Sequence, residues 1–79
     1  MTETEVLRWL AEIFEASPES ISAATPRTDI PAWDSLGVLT LIAGFDERFG
    51  LQVSDADLEK LATIGDVVAL LKSKGKLSS

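Results

Sequence analysis

The segment Trp33-Asp34-Ser35-Leu36-Gly37-Val38-Leu39-Thr40-Leu41-Ile42-Ala43-Gly44-Phe45-Asp46-Glu47-Arg48-Phe49 decides the fold. Val38, Leu41, Ile42, Phe45 and Phe49 recur at helical spacing and, at about 100° per residue, cover about a third of the circumference, which predicts a core-facing helix over 35–49. Asp34 suits the N-cap, because its carboxylate can accept from backbone N–H groups that have no intrahelical partner. Ser35 then opens the first turn outside the core arc. Its hydroxyl is expected to face water at the helix end whose free N–H groups and dipole favour an anion. Serines are common near helix starts, so position alone assigns no chemistry to this one.

Working outward, Gly50 follows the helix where a C-cap takes a residue tolerant of positive φ, and Leu51-Gln52-Val53 reads as extended with Leu51 and Val53 turned inward. Ser54 and the acidic residues after it open a short helix over 55–61, anchored by Leu58 and Leu61. Asp55, Asp57 and Glu59 lack the glycine and ligand spacing of a calcium loop and read as a solvated face, so no metal site is expected. Thr63 and Asp66 form a capping pair for a last helix over 64–74, with Ile64, Val67, Val68 and Leu71 as its core stripe. Gly75 ends it, and residues 76–79 are expected to fray.

Upstream, Thr2 and Glu5 have the form of a capping box, and Val6, Leu7, Leu10, Ile13 and Phe14 follow on one face, predicting a helix over 3–16. Trp9 lies at the edge of that face. Pro18 cannot continue the helix. From Ser17 to Trp33 the chain carries three prolines and many small polar residues, and such a connection in a compact domain calls for an explanation. Ile21, Ile30 and Trp33 are expected to pin it across the bundle, with a short helical turn near Glu19 to Ser22. The architecture expected is all-α: one domain over 1–79, a small antiparallel bundle of three main helices plus one short helix.

Composition narrows the function. The chain has 79 residues, 46% of them hydrophobic and 25% charged, which fits a soluble globular domain. Seven Lys and Arg against 13 Asp and Glu give a net charge of −6, which argues against nucleic acid and favours basic patches on other proteins. No apolar run reaches membrane-span length, and the N-terminus lacks a secretory pattern, so a cytoplasmic protein without membrane insertion is expected. There is no histidine, so Ser35 belongs to no Ser-His-Asp arrangement, and no cysteine, so any thioester chemistry needs a thiol from elsewhere.

Asp34-Ser35-Leu36 at the head of an apolar helix, set behind a first helix and a long loop, resembles the acyl and peptidyl carrier proteins. In that family the serine of an Asp-Ser-Leu motif carries a 4′-phosphopantetheine arm. The resemblance covers nearly the whole chain and implies a non-catalytic carrier. A phosphopantetheinyl transferase would move the arm from coenzyme A onto Ser35, with any magnesium belonging to the transferase reaction. A ligase or synthase would load the thiol with an acyl or aminoacyl group, and downstream biosynthetic enzymes would receive it from what is expected to be a monomer. Asp34, Leu36, Leu39, Ala43, Asp46 and Glu47 are the expected partner-recognition residues. Leu36, Leu39 and Ala43 form an apolar strip beside Ser35 that either meets a partner or, covered by the short helix, lines a cargo pocket. The opposite arc holds Gly37, Thr40, Gly44, Glu47 and Arg48, and its glycines point to close approach by another backbone or by a partner. Fatty-acid members typically carry acidic residues at the positions of Gly37, Thr40 and Arg48, so a dedicated pathway is expected rather than the housekeeping one. The competing reading is an unmodified helical adaptor.

Overall fold

The computed structural model describes residues 1–77, which form α1 (Glu3–Ile13), α2 (Ser35–Phe49), α3 (Asp55–Glu59) and α4 (Ile64–Ser73), with 3-10 turns at Pro18–Ser20 and Arg27–Asp29. Among the described residues the strand-like pairing is an isolated bridge between Pro26 and Thr63. The all-α expectation of three main helices and one short helix holds, and the bounds of α2 match those expected.

Each helix starts at a side-chain cap. Thr2, Ser54 and Thr63 make capping boxes with Glu5, Asp57 and Asp66, and Asp34 caps α2 through Gly37 N. These contacts satisfy N–H groups that the helices cannot. The ends depart from expectation. α1 stops at Ile13 rather than residue 16 because Glu15 turns left-handed, with φ 53°, and Ala16 N bonds back to Ala11 O at 2.8 Å. α3 stops at Glu59 rather than residue 61, and Leu61 reaches the core from beyond the helix. The expected fraying is corrected at residues 76 and 77. Lys76 N bonds to Leu71 O at 2.9 Å and Leu77 packs half-buried on the core. Residues 78 and 79 lie outside the described residues.

α1 packs against both α2 and α4. Val6, Leu10, Leu41, Phe45, Ile64, Val67 and Leu71 are fully enclosed at the centre. The buried arc of α2 runs through Gly37, Leu41 and Phe45, whereas Val38, Ile42 and Phe49 are half-buried. It is centred near Leu41, about 60° around the helix from Val38. The two glycines of α2 cause this rotation. A Cβ on Gly37 would overlap the carbonyl oxygen of Ala32, and one on Gly44 would come within 2.8 Å of the Trp9 ring. Both glycines therefore admit parts of this chain, and Gly37 belongs to the buried face, not to the outward arc. Trp9 lies 5.8 Å from Phe45 and edge-on to Phe49 at 5.2 Å.

The long connection is held as expected by Ile21, Ile30 and Trp33, all buried. The helical turn sits at Pro18–Ser20. Its backbone also finds partners. Arg27 N donates to Ala62 O at 2.8 Å, and Ile64 N and Gly65 N donate to Thr25 O and Ala23 O at 3.0 and 2.8 Å. These bonds tie the loop to the junction of α3 and α4, so its polar groups are paired as a crossing segment requires.

Two outcomes follow from these contacts. Gly37→Ala should destabilise the fold by about 1–3 kcal/mol in chemical denaturation, despite alanine's higher helix propensity, because the overlap is with backbone and no rotamer relieves it. The second concerns acid. Backbone N–H bonds from Thr2 and Ser54, aided by the capping hydroxyls, hold the Glu5 and Asp57 carboxyls below their ordinary values of 4.5 and 3.8. Above those values the capping stability is fully present. As pH falls below them the unfolded chain protonates first and that stability is lost. Melting curves from neutral pH downward should therefore show a shallower acid loss for the double variant Glu5→Gln, Asp57→Asn than for wild type.

Candidate functional site

The site is built from the core outward. Trp33 stacks on Phe14, with ring centroids 4.9 Å apart and planes 20° from parallel, and the Arg27 guanidinium lies 5.7 Å from the Trp33 ring. This anchors the residue immediately before the cap. One turn further on, Gly37 seats against the Ala32 carbonyl. The chain is therefore fixed on both sides of Asp34 and Ser35.

Asp34 is extended (φ −109°, ψ −162°), and its Oδ1 accepts from Gly37 N at 3.0 Å. Ser35 is the first helical residue and is exposed. The N–H groups of Ser35 and Leu36 point out of the first turn with no intrahelical acceptor, because nothing precedes them in the helix. The hydroxyl thus stands at the positive end of a 15-residue helix, in a field that favours an attached anion.

The expected recognition residues fall into two groups. Asp34, Leu36 and Leu39 surround Ser35, and the two leucines are 71% and 62% exposed. α3 therefore does not cover them, and they form open surface rather than a pocket wall. Ala43 is exposed at the edge of a separate groove of about 370 Å³, shared with Ile42, Asp46, Leu51, Gln52 and Val53. Asp46 and Glu47 are exposed near the other end of α2, about 16–18 Å along the axis from Ser35. Glu47 borders a cleft with Trp9, Glu12 and Arg48 on the α1 side, so the structure does not bring it to the serine.

The helix-interior glycines signalled close approach by another backbone, which Gly37 shows, but not that the approaching group is the Ala32 carbonyl, and the stack of Trp33 on Phe14 was not foreseen. Thr40, on the exposed side, turns its hydroxyl back to donate to Leu36 O at 3.0 Å. Among the described residues no group of three or more His, Cys, Asp or Glu side chains converges as a metal site would need. No helix among them is long and apolar enough to cross a membrane.

The chain matches the family model for the phosphopantetheine attachment site over residues 4–71. It is 34% identical to an acyl carrier protein of Bdellovibrio bacteriovorus over 67 residues, spanning 85% of this chain and 86% of that one. It is 32% identical to an acyl carrier protein of Renibacterium salmoninarum over 73 residues, spanning 87% and 90%. A match to an acyl carrier protein of Thermotoga maritima is 46% identical over 41 residues, about half of each chain. The solution structure of a holo acyl carrier protein from Geobacter metallireducens superposes with a TM-score of 0.70 at 28% identity, covering 90% of this chain and 78% of that one. The fold, the phosphopantetheine attachment domain and the relatives agree: the chain belongs to the acyl carrier protein family, whose members are carriers of phosphopantetheine-linked intermediates rather than catalysts.

Proposed function

We propose that Ser35 Oγ is the atom to which the 4′-phosphopantetheine arm is joined. The observation that carries this reading is an exposed hydroxyl on the first residue of a capped, core-anchored helix. The residues present fit the group: the hydroxyl is open to solvent, two N–H groups beside it lack acceptors, and the flanking Leu36 and Leu39 leave the approach uncovered. When bound, the arm supplies a terminal thiol that holds acyl or aminoacyl groups as thioesters, the function that this cysteine-free chain has no side chain to perform.

In the attachment reaction Ser35 Oγ gives up its proton to the transferase and bonds to phosphorus, as the nucleotide part of coenzyme A leaves. Afterwards the helix end stabilises the fixed negative charge, typically by about 0.3–1 kcal/mol. Asp34 holds the first turn in place by keeping its carboxylate on Gly37 N. Asp34, Leu36, Leu39, Ala43, Asp46 and Glu47 are proposed as the surface read by partners, with the first three nearest the chemistry.

The proposed partners are a phosphopantetheinyl transferase, a loading ligase or synthase, and the enzymes that take the cargo onward. The absence of charge at Gly37 and Thr40 supports a dedicated set of partners rather than a strongly basic groove. Residues 1–77 share one core, which supports a single carrier domain, and the net charge of −6 supports a monomer that meets basic patches on protein partners.

Intact-mass measurement after incubation with coenzyme A and a broad-specificity transferase should show the gain of one arm on wild type and none on Ser35→Ala. A folded wild-type protein that gains nothing, or a Ser35→Ala variant that still gains the arm, would overturn the assignment. Because the side chain is exposed, Ser35→Ala should change unfolding stability by less than about 0.5 kcal/mol, so loss of loading cannot be put down to loss of fold.

A further inference from the structure

Resting on the assignment of Ser35, we propose that the Arg27 guanidinium is the receptor for an oxyanion carried on the arm. Between Arg8 and Arg48 it is the one Lys or Arg, in a chain whose net charge is −6. It is half-buried and lies 5.7 Å from the centre of the Trp33 ring, which its own stack on Phe14 holds in place two residues before Ser35. Two residues of chain span at most about 7 Å, so the foot of the arm and the ring beside the guanidinium belong to one corner of the molecule.

The backbone of Arg27 is held while its charge is left unanswered. Arg27 N donates to Ala62 O at 2.8 Å and Ile30 N donates to Arg27 O at 3.1 Å, which keeps the turn closed against the junction of α3 and α4. Among the described residues no carboxylate comes within 4.0 Å of the guanidinium, and no side-chain hydrogen bond holds it. Asp29, in the same turn, is exposed and does not pair with it. A ring contact offsets only part of the desolvation of a cation, because the N–H donors of the guanidinium stay open. Phosphate and carboxylate oxygens match that fork of donors. The arm brings two such groups within reach: its own phosphodiester, and the free end of any cargo that bears a carboxylate. Either is tethered, so it meets Arg27 at an effective concentration of roughly millimolar, and a contact too weak to hold a free ligand is populated.

The test compares the unmodified chain with the chain carrying the bare arm, a butyryl arm or a succinyl arm, each installed from the matching coenzyme A by a broad-specificity transferase. Two readouts are taken: the Arg27 Nε–H resonance in proton–nitrogen NMR, and the unfolding equilibrium of each loaded form against its own unmodified form, so that any loss of the Trp33 contact in a variant cancels. The expected result is a shift of the Arg27 resonance on loading. In the form that shifts it, the folding equilibrium should gain about threefold more in wild type and Arg27→Lys than in Arg27→Gln, which keeps only the share supplied by the helix end. A shift complete with the bare arm assigns the phosphodiester, and one that needs the succinyl arm assigns the cargo carboxylate. A resonance that no form moves, one that butyryl and succinyl move alike while the bare arm does not, or equal gains in wild type and Arg27→Gln would each overturn the proposal. The wild-type spectra decide alone if Arg27→Gln does not fold. An arm that never joins Ser35 removes the assignment itself, whereas an arm that joins and leaves Arg27 unmoved removes this inference only.

Discussion

The structure depends on the contact between the α2 backbone at Gly37 and the carbonyl of Ala32. A side chain at position 37 would push the loop away from the helix. With hydrogen alone there, the loop closes down and Trp33 reaches Phe14. The direction in which the chain enters α2 is then fixed, and so is the outward direction of the first helical residue. A glycine inside a helix costs about 1 kcal/mol relative to alanine. Here that cost is offset by a junction in which the Ala32 carbonyl seats on the start of α2 and Trp33 stacks on Phe14 just past the end of α1.

From that junction the properties of the serine follow in order. Asp34 is held extended, so its carboxylate accepts from Gly37 N. The first-turn N–H groups before that bond stay free, and the helix dipole adds to their field. Attachment of an anion is thereby favoured without any positively charged side chain in the helix's first turns. The same stretch presents leucines where many helices would present charge. A carrier must be gripped by several enzymes and released by each, and a small apolar contact beside the modified atom suits repeated, transient association.

Much of this was legible in the sequence because it rests on local rules. The caps at Thr2, Asp34, Ser54 and Thr63 are read from residue types at fixed spacing, and each appears in the structure. The bounds of α2 and the outward position of Ser35 follow from the same rules. What escaped depends on residues distant in the chain. The buried arc of α2 turns toward Gly37 because of Ala32, and toward Gly44 because of Trp9, and hydropathy gives a glycine no vote on either side. The early stop of α1 needs a left-handed Glu15, a conformation its side chain does not favour and the sequence does not announce. The docked Lys76 and Leu77 likewise depend on α4 ending where Leu71 O is free to accept.

The most direct measurement is to isolate this protein from cells that make it and locate the phosphopantetheine by fragmentation mass spectrometry. The account predicts one arm per chain, on the peptide that contains Asp34-Ser35-Leu36 and on the serine oxygen itself. An arm found on another hydroxyl, such as that of Thr40 or Ser54, or a chain that stays unmodified while its pathway is running, would contradict it.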